Sequence, residues 1–389
     1  MSGERVVRHG AVDDTKASSD PSTPEGAHAP ILPFDVRIDL VDRMLNFEIA
    51  DDPYYSGLEI QAFDDAVHGK GMLVFLSRRD DDRIDVYHQA GLNVDPANYG
   101  IAGGLGAWVE AEISPDVLVV DDLGVRVDVR LTDVAGRTIE VRMDDRGTRR
   151  RRRATMLAPM GAGIEHPTSL PLVWMTRFDL VRRTRRAPTI RIDGRSVSPG
   201  RLPAARIHRR HLIKYAADLC VVSVNPTRTA ARGSPVATSD RPATSGRPAT
   251  SGRGDGGIAM VTAAQGAHVA RLRLTPALPD LASLEPATPA HGVWDVDIDD
   301  HRAVTGGTWY ARREPTDVAL VVDVTRPWRP SKLPPLMRLV TIVMPLFRTW
   351  PTTYRWTGSI PLDGTATISR WERTVTQRAE AYRRMTGSE

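Results

Sequence analysis

Between Val117 and Asp144 apolar and polar positions alternate with a period of two. Val125, Val127, Val129 and Leu131 fall on one side of an extended chain and Arg126, Asp128 and Arg130 on the other, which predicts a half-buried strand. Asp133-Val134-Ala135-Gly136 interrupts the pattern with turn residues. The alternation then resumes with Ile139, Val141 and Met143 inward and Thr138, Glu140 and Arg142 outward. The result is a hairpin on whose wet face Arg pairs with Asp and Glu, each pair contributing roughly 0.2–1 kcal/mol. Asp121-Asp122-Leu123-Gly124 supplies a similar turn one strand earlier, so the centre of the chain reads as an antiparallel meander.

The same pattern recurs on both sides. Before residue 226 it marks strands around Val36–Leu40, Leu58–Phe63, Gly71–Ser77, Arg83–Ala90, Ala107–Ile113, Leu170–Arg182, Thr189–Ile192, His211–Tyr215 and Leu219–Val224. Later it marks Ile258–Thr262, His268–Leu274, Val293–Ile298, Gly306–Arg312, Val318–Val324 and Tyr354–Ile360. Between the two groups Arg241–Gly252 is a tandem copy of Arg-Pro-Ala-Thr-Ser-Gly, with no apolar anchor to offset its ordering entropy. The expected organisation is a disordered segment over 1–30, a first β domain over 31–226, a disordered linker or loop over 227–257, and a second β domain over 258–389. The fold class is all-β, as two successive antiparallel barrels or sandwiches.

Two helices are expected late. Leu336–Phe347 is an apolar run that starts at prolines and ends near Pro345, too short to span a bilayer. It suits packing on a sheet, covering a barrel mouth, or transient contact with a membrane surface. Ile368, Trp371, Val375, Ala379 and Tyr382 recur three or four apart, which predicts a C-terminal helix.

Composition narrows the function classes. A chain of 389 residues exceeds what one core usually serves. Of 52 basic residues only Lys16, Lys70, Lys214 and Lys332 are lysines, an arginine bias better explained by coding preference than by a nucleic-acid surface. With neither a recognition helix nor an aromatic-basic platform evident, no nucleic-acid partner is expected. The lone Cys220 excludes intrachain disulfides and CxxC-type zinc or redox sites. Residues 1–20 lack an apolar signal core and no run of 18 apolar residues occurs, so a cytoplasmic location is expected.

Motifs that could redirect the reading fail on context. Gly100, Gly103, Gly104 and Gly106 precede a strand rather than open a helix, against a phosphate loop. Arg149–Arg153 reads as a solvated loop. Asp295, Asp297 and Asp299 begin like a calcium loop, but Gly306 stands where a bidentate Glu is needed. Cross-strand pairing with Arg271 and Arg273 fits better. No nucleophile elbow or HExxH motif is present, and no metal or cofactor is expected.

Two consecutive β domains, with tryptophans concentrated at 294, 309, 328, 350, 356 and 371, resemble in domain plan the tandem lipocalin-like carotenoid hydratase and AttH-like family. That resemblance implies a small apolar polyene, isoprenoid or polyketide ligand handled without metal or nucleotide. The expected activity is hydration, isomerisation or cyclisation by acid catalysis in a β-barrel cavity; the alternative is a non-catalytic lipid or pigment carrier. Protonating an alkene requires an acid kept neutral by burial and aromatic faces to stabilise a cation. Acidic or imidazole groups on apolar strand faces nominate His88, Glu110 and Asp179 as catalytic. Glu59, Tyr87, Trp108, Trp174, Trp294, Trp309 and Tyr310 are nominated as substrate-binding.

Overall fold

The computed structural model describes residues 34–99, 104–151, 153–159, 169–181, 188–200, 211–226, 248–249, 253–254, 257–286, 288–326, 335, 338–339, 353–362 and 371–374. In chain order the first strands are β1 (Asp35–Glu48), β2 (Tyr55–Asp65), β3 (Gly69–Arg78), β4 (Ile84–His88), β5 (Leu105–Glu110), β6 (Asp116–Asp121) and β7 (Gly124–Thr132). There follow β8 (Thr138–Asp144), β9 (Ala154–Pro159), β10 (Leu170–Val181), β11 (Thr189–Ile192), β12 (Arg195–Ser196) and β13 (Ile213–Asn225). The later strands are β14 (Pro248–Ala249), β15 (Arg253–Gly254), β16 (Gly257–Gln265), β17 (His268–Pro279), β18 (Ala290–Ile298), β19 (His301–Arg313), β20 (Asp317–Arg326), β21 (Thr353–Pro361) and β22 (Trp371–Thr374).

They form three sheets, none of which closes into a barrel. Sheet 1 runs β5-β4-β3-β2-β1-β13-β10-β9, sheet 2 runs β12-β11-β8-β7-β6, and sheet 3 runs from β14 through β16–β22, with β15 also paired to β16. Pairing is antiparallel except between β4 and β5. The 3-10 turn Pro96–Tyr99 lies on the long connection that lets the chain return to the same end, as a parallel pair requires.

Sheet 1 contributes to two cores. Leu45, Phe47, Leu58, Ile60, Val74, Tyr87 and Tyr215 pack with Val125, Val127, Val129, Leu131, Ile139 and Val141 of sheet 2. Val36, Ile38, Leu73, Phe75, Val86 and Trp174 belong instead to a core continuous with Leu272, Trp294, Trp309, Leu320, Val322, Trp356 and Trp371 of sheet 3. Fully burying one such aliphatic or aromatic side chain stabilises by about 1.5–3 kcal/mol. In β3 the run Met72–Leu76 is buried throughout, Leu73 and Phe75 on one side and Met72, Val74 and Leu76 on the other. A strand covered on both faces has no need to alternate.

The central hairpin is as the sequence predicts. Its four β7 and three β8 apolar residues are buried, and on the wet face Arg142 meets Asp128 at 3.0 Å and Arg130 meets Glu140 at 3.7 Å. In sheet 3 Arg271 and Arg273 stand opposite Asp297 and Asp295 in register, and Asp297 pairs with Arg273 at 2.5 Å while Asp295 takes Arg326.

Other expectations change. His211–Tyr215 and Leu219–Val224 are not two strands; β13 runs through both, with Asp218 absorbing the irregularity at φ 52°. Within the low-complexity stretch Pro248–Ala249 and Arg253–Gly254 pair with β16, and the rest of 227–256 lies outside the described residues. Trp371–Thr374 is a strand on the edge of β21 rather than helix, because Trp371 and Arg373 find register partners in Trp356 and Tyr354. The remainder of the expected C-terminal helix lies outside the described residues. Of the apolar run Leu336–Phe347 only Arg338 and an exposed Leu339 are described, both helical. Among the described residues no helix is long and apolar enough to cross a membrane.

Candidate functional site

Register assembles a mixed polar and aromatic face on sheet 1. Residues opposite one another on adjacent strands point to the same side. One row reads Lys214 (β13), Asn46 (β1), Glu59 (β2), Phe75 (β3), Val86 (β4), Trp108 (β5). The next reads Ala216, Met44, Gln61, Leu73, His88, Glu110 across the same strands. Phe75, Val86, Leu73, Met44 and Ala216 belong to the core shared with sheet 3, so the polar groups of these rows stand among apolar neighbours.

Glu59 sits at the centre. The Asn46 side-chain amide donates to its Oε2 at 2.9 Å and the Gln61 amide to its Oε1 at 2.6 Å. Burial pushes the Glu59 carboxyl above the usual glutamate range, against the opposing pull of the Gln61 and Asn46 donors and the Lys214 charge. On the same row burial lowers the Lys214 ammonium, against the opposing charges of Glu48 and Glu59. Gln61 Oε1 is buried and accepts no hydrogen bond among the described residues.

An aromatic series flanks this pair. The rings of Phe75 and Tyr99 lie 5.7 Å apart, Tyr99 and Trp108 5.5 Å, and Trp108 and His88 5.4 Å, all tilted. Burial, and then the Asp39 charge, raises the Tyr99 phenol, so it stays neutral. Such faces attract positive charge. Together the two rows offer a carboxyl whose proton burial holds more tightly, an ammonium whose proton burial loosens, and π faces beside an apolar wall.

Four of the residues nominated from sequence therefore share one face: Glu59, His88, Trp108 and Glu110. Glu110 is exposed at the sheet edge, opposite His88. Trp174 faces the same core further along sheet 1 and Trp294 and Trp309 line it from sheet 3, whereas Tyr87, Asp179 and Tyr310 do not. Tyr87 lies on the reverse face, buried against sheet 2, where its oxygen accepts from the Val134 amide at 3.2 Å.

Asp179 is buried elsewhere. It accepts from the Tyr215 hydroxyl at 3.0 Å and from the Leu180 amide at 2.8 Å, with Arg151 Nη1 3.8 Å away. Its cation is thus Arg151 rather than Arg177, which pairs with Asp218. Arg151 also holds Asp145 at 2.6 Å, and Arg153 lies over the Tyr215 ring at 4.8 Å. Part of the arginine run accordingly turns inward, because buried Asp145 and Asp179 need a cation; Arg150 remains exposed.

Trp174 donates its indole N–H to Asp299 Oδ2 at 3.1 Å and meets the His301 ring edge-on at 4.7 Å, binding sheet 1 to the β18–β19 turn. Trp294 donates to the Asp323 carbonyl at 3.1 Å and Trp309 is buried in sheet 3, while Tyr310 points to the outer side and is 40% exposed. Among the described residues no group of three or more His, Cys, Asp or Glu is placed to hold a metal ion.

Asn46, Gln61 and Lys214 were not nominated from sequence. Lys214 had a signal: it is one of four lysines beside 48 arginines, and it interrupts the inward face of a mostly apolar strand. Gln61 had one as well, two residues from Glu59 on the same strand face, whereas Asn46 had none, because its role comes only from standing across from Glu59.

No protein-family model, no curated protein and no solved structure matches this chain.

Proposed function

We propose that the protein binds a small apolar, unsaturated molecule against the Glu59 face of sheet 1 and moves a proton on it, hydrating, isomerising or cyclising it. Glu59 is the acid: its O–H protonates an alkene carbon, and the cation that forms lies among Phe75, Tyr99 and Trp108. An unprotonated Lys214 amine then accepts a proton from the carbon next to the cation, or water adds to the cationic carbon itself and returns its extra proton to the Glu59 carboxylate. His88 and Glu110, at the edge of the same face, border the bound molecule. Asp179 and Tyr87 are left out, since their polar atoms are engaged on other surfaces.

The observation that carries this reading is the Glu59 carboxyl, kept towards its neutral form by burial and fixed by two side-chain amides beside aromatic rings. The likeness in plan to carotenoid hydratases and AttH-like proteins supports the same substrate class. Incubating the protein in D2O with a panel of geraniol, linalool, squalene and lycopene tests it. Deuterium incorporated at carbon, and lost in Glu59→Gln, is the expected result; equal incorporation in the two proteins, or none with any substrate, rejects catalysis by Glu59.

A carrier of lipid or pigment is the second reading, favoured by the unpartnered buried Oε1 of Gln61, which suits a ligand hydroxyl whether or not chemistry follows. It predicts that those alcohols bind wild type and Glu59→Gln without conversion.

A further inference from the structure

Sheet 3 holds a second arrangement, independent of Glu59. In register across β19–β22, Trp309, Val322, Trp356 and Trp371 form one row on one face. The three tryptophans are 2%, 1% and 0% exposed. Each of their indole nitrogens is buried without a hydrogen-bond partner among the described residues. This is not the rule for the chain, since the buried indoles of Trp174 and Trp294 both donate.

Glycines lie directly against two of the rings. A Cβ on Gly292, the register partner of Trp309, would lie 2.8 Å from Trp309 Cε2 and Nε1, and one on Gly358 would lie 2.4 Å from Trp356 Cη2. Any larger residue there would displace the indole, so the small residues fix ring placement ahead of any ligand.

A buried donor left without an acceptor costs about 1–3 kcal/mol. Phenylalanine would fill most of the space without that penalty, yet the row strands three donors. An indole N–H only donates, so what completes it is an acceptor. The surrounding Leu320, Val322, Tyr354 and Ile360 are buried, largely apolar side chains. Arg373 shares this face, opposite Tyr354, but a neutral oxygen still costs less to bury than an anion, which favours a carbonyl.

We propose that the Trp309–Trp356–Trp371 row is a binding site for the carbonyl end of an apolar molecule, whose hydrocarbon body lies against the inner face of sheet 3. One or two of the indole N–H groups donate to the carbonyl oxygen, which has two lone pairs, and the alkyl chain replaces no polar contact.

The test uses the full chain labelled with 15N at tryptophan and 2-dodecanone as probe, with dodecane as the matched hydrocarbon. A downfield shift of at least one of the Trp309, Trp356 and Trp371 indole N–H signals with the ketone but not the alkane is expected, with the signals assigned by single Trp→Phe variants. Ketone affinity should fall about tenfold in Trp309→Phe or Trp356→Phe, as for one lost buried hydrogen bond. It should be unchanged in Glu59→Gln, which separates this site from the one on sheet 1. Unshifted indole signals at saturating ketone, or the same shifts with dodecane, overturn the proposal. The wild-type spectrum decides the matter even if a variant fails to fold.

Discussion

The Tyr55 hydroxyl donates to the Asp133 carboxylate at 2.8 Å, and so ties the start of β2 in sheet 1 to the turn of the central hairpin in sheet 2. Arg137 reaches the same oxygen at 2.7 Å and also donates to the Tyr55 oxygen at 3.0 Å, while its own amide and that of Ala135 hold the other carboxylate oxygen. Tyr55→Phe leaves Arg137 and the two amides in place, so about 1–2 kcal/mol of stability should be lost. Asp133→Ala strands the phenol and the guanidinium together, and a loss of about 3–5 kcal/mol is expected. Urea unfolding of the two variants measures both.

The pH dependence of stability separates Asp133 from Glu59. Burial alone would raise the Asp133 carboxyl, but the Arg137 amide, the Tyr55 hydroxyl and the Arg137 guanidinium hold it below the usual 3.8. Its stabilisation is therefore complete above that value and is lost as pH falls through the lower folded pKa. Glu59 has the opposite sign. Its folded pKa lies above the ordinary 4.5, so the folded state takes up the proton more readily and stability falls as pH rises from 4.5 through the folded value. Glu59→Gln, which cannot ionise, should gain on wild type over that interval in pH-dependent thermal melts. A flat difference between the two curves would mean that the carboxyl titrates alike folded and unfolded.

Two arginines of the same run should behave unlike each other. Arg151→Met leaves Asp145 and Asp179 buried without their shared cation, and a loss of about 3 kcal/mol is expected. Arg150 is exposed and 3.8 Å from Asp122, so Arg150→Ala should change stability by less than about 0.5 kcal/mol. Denaturant midpoints of the pair give the comparison.

Asp299 combines a backbone and a side-chain requirement. Its φ is 53°, and its carboxylate meets Trp174 at 3.1 Å, His268 at 3.0 Å and the Val269 amide at 3.0 Å. Asn tolerates that backbone and keeps an acceptor, so Asp299→Asn should cost about 1 kcal/mol or less. Asp299→Ala forfeits the acceptor and strains the turn, and should cost about 3 kcal/mol. Calorimetry that ranked the two variants equal would show that the carboxylate contributes little.

What was legible in the sequence follows from how each strand is covered. The β7–β8 hairpin could be read because one face is wet, which writes burial into every second residue. In β3 both faces are covered, so Met72–Leu76 signals a strand without saying which side meets which sheet. Trp371 misled because an apolar residue every third or fourth position fits a helix, while the edge of β21 that claims it is not written locally. Glu59 was noticed as a polar interruption. Its cross-strand partners could not be, because Asn46 and Lys214 reach it only once β1, β2 and β13 lie side by side. The concentration of late tryptophans was visible, but whether an indole finds an acceptor depends on packing that no spacing encodes.

Sheet 1 is a party wall, one residue thick, between two interiors. Leu73 answers to the tryptophan-rich side and Val74, its chain neighbour, to the side built on the central hairpin. A guest that spreads β2 and β3 apart on one side must flex the backbone shared with the other, so occupancy beside Glu59 would be felt by valines that never meet it.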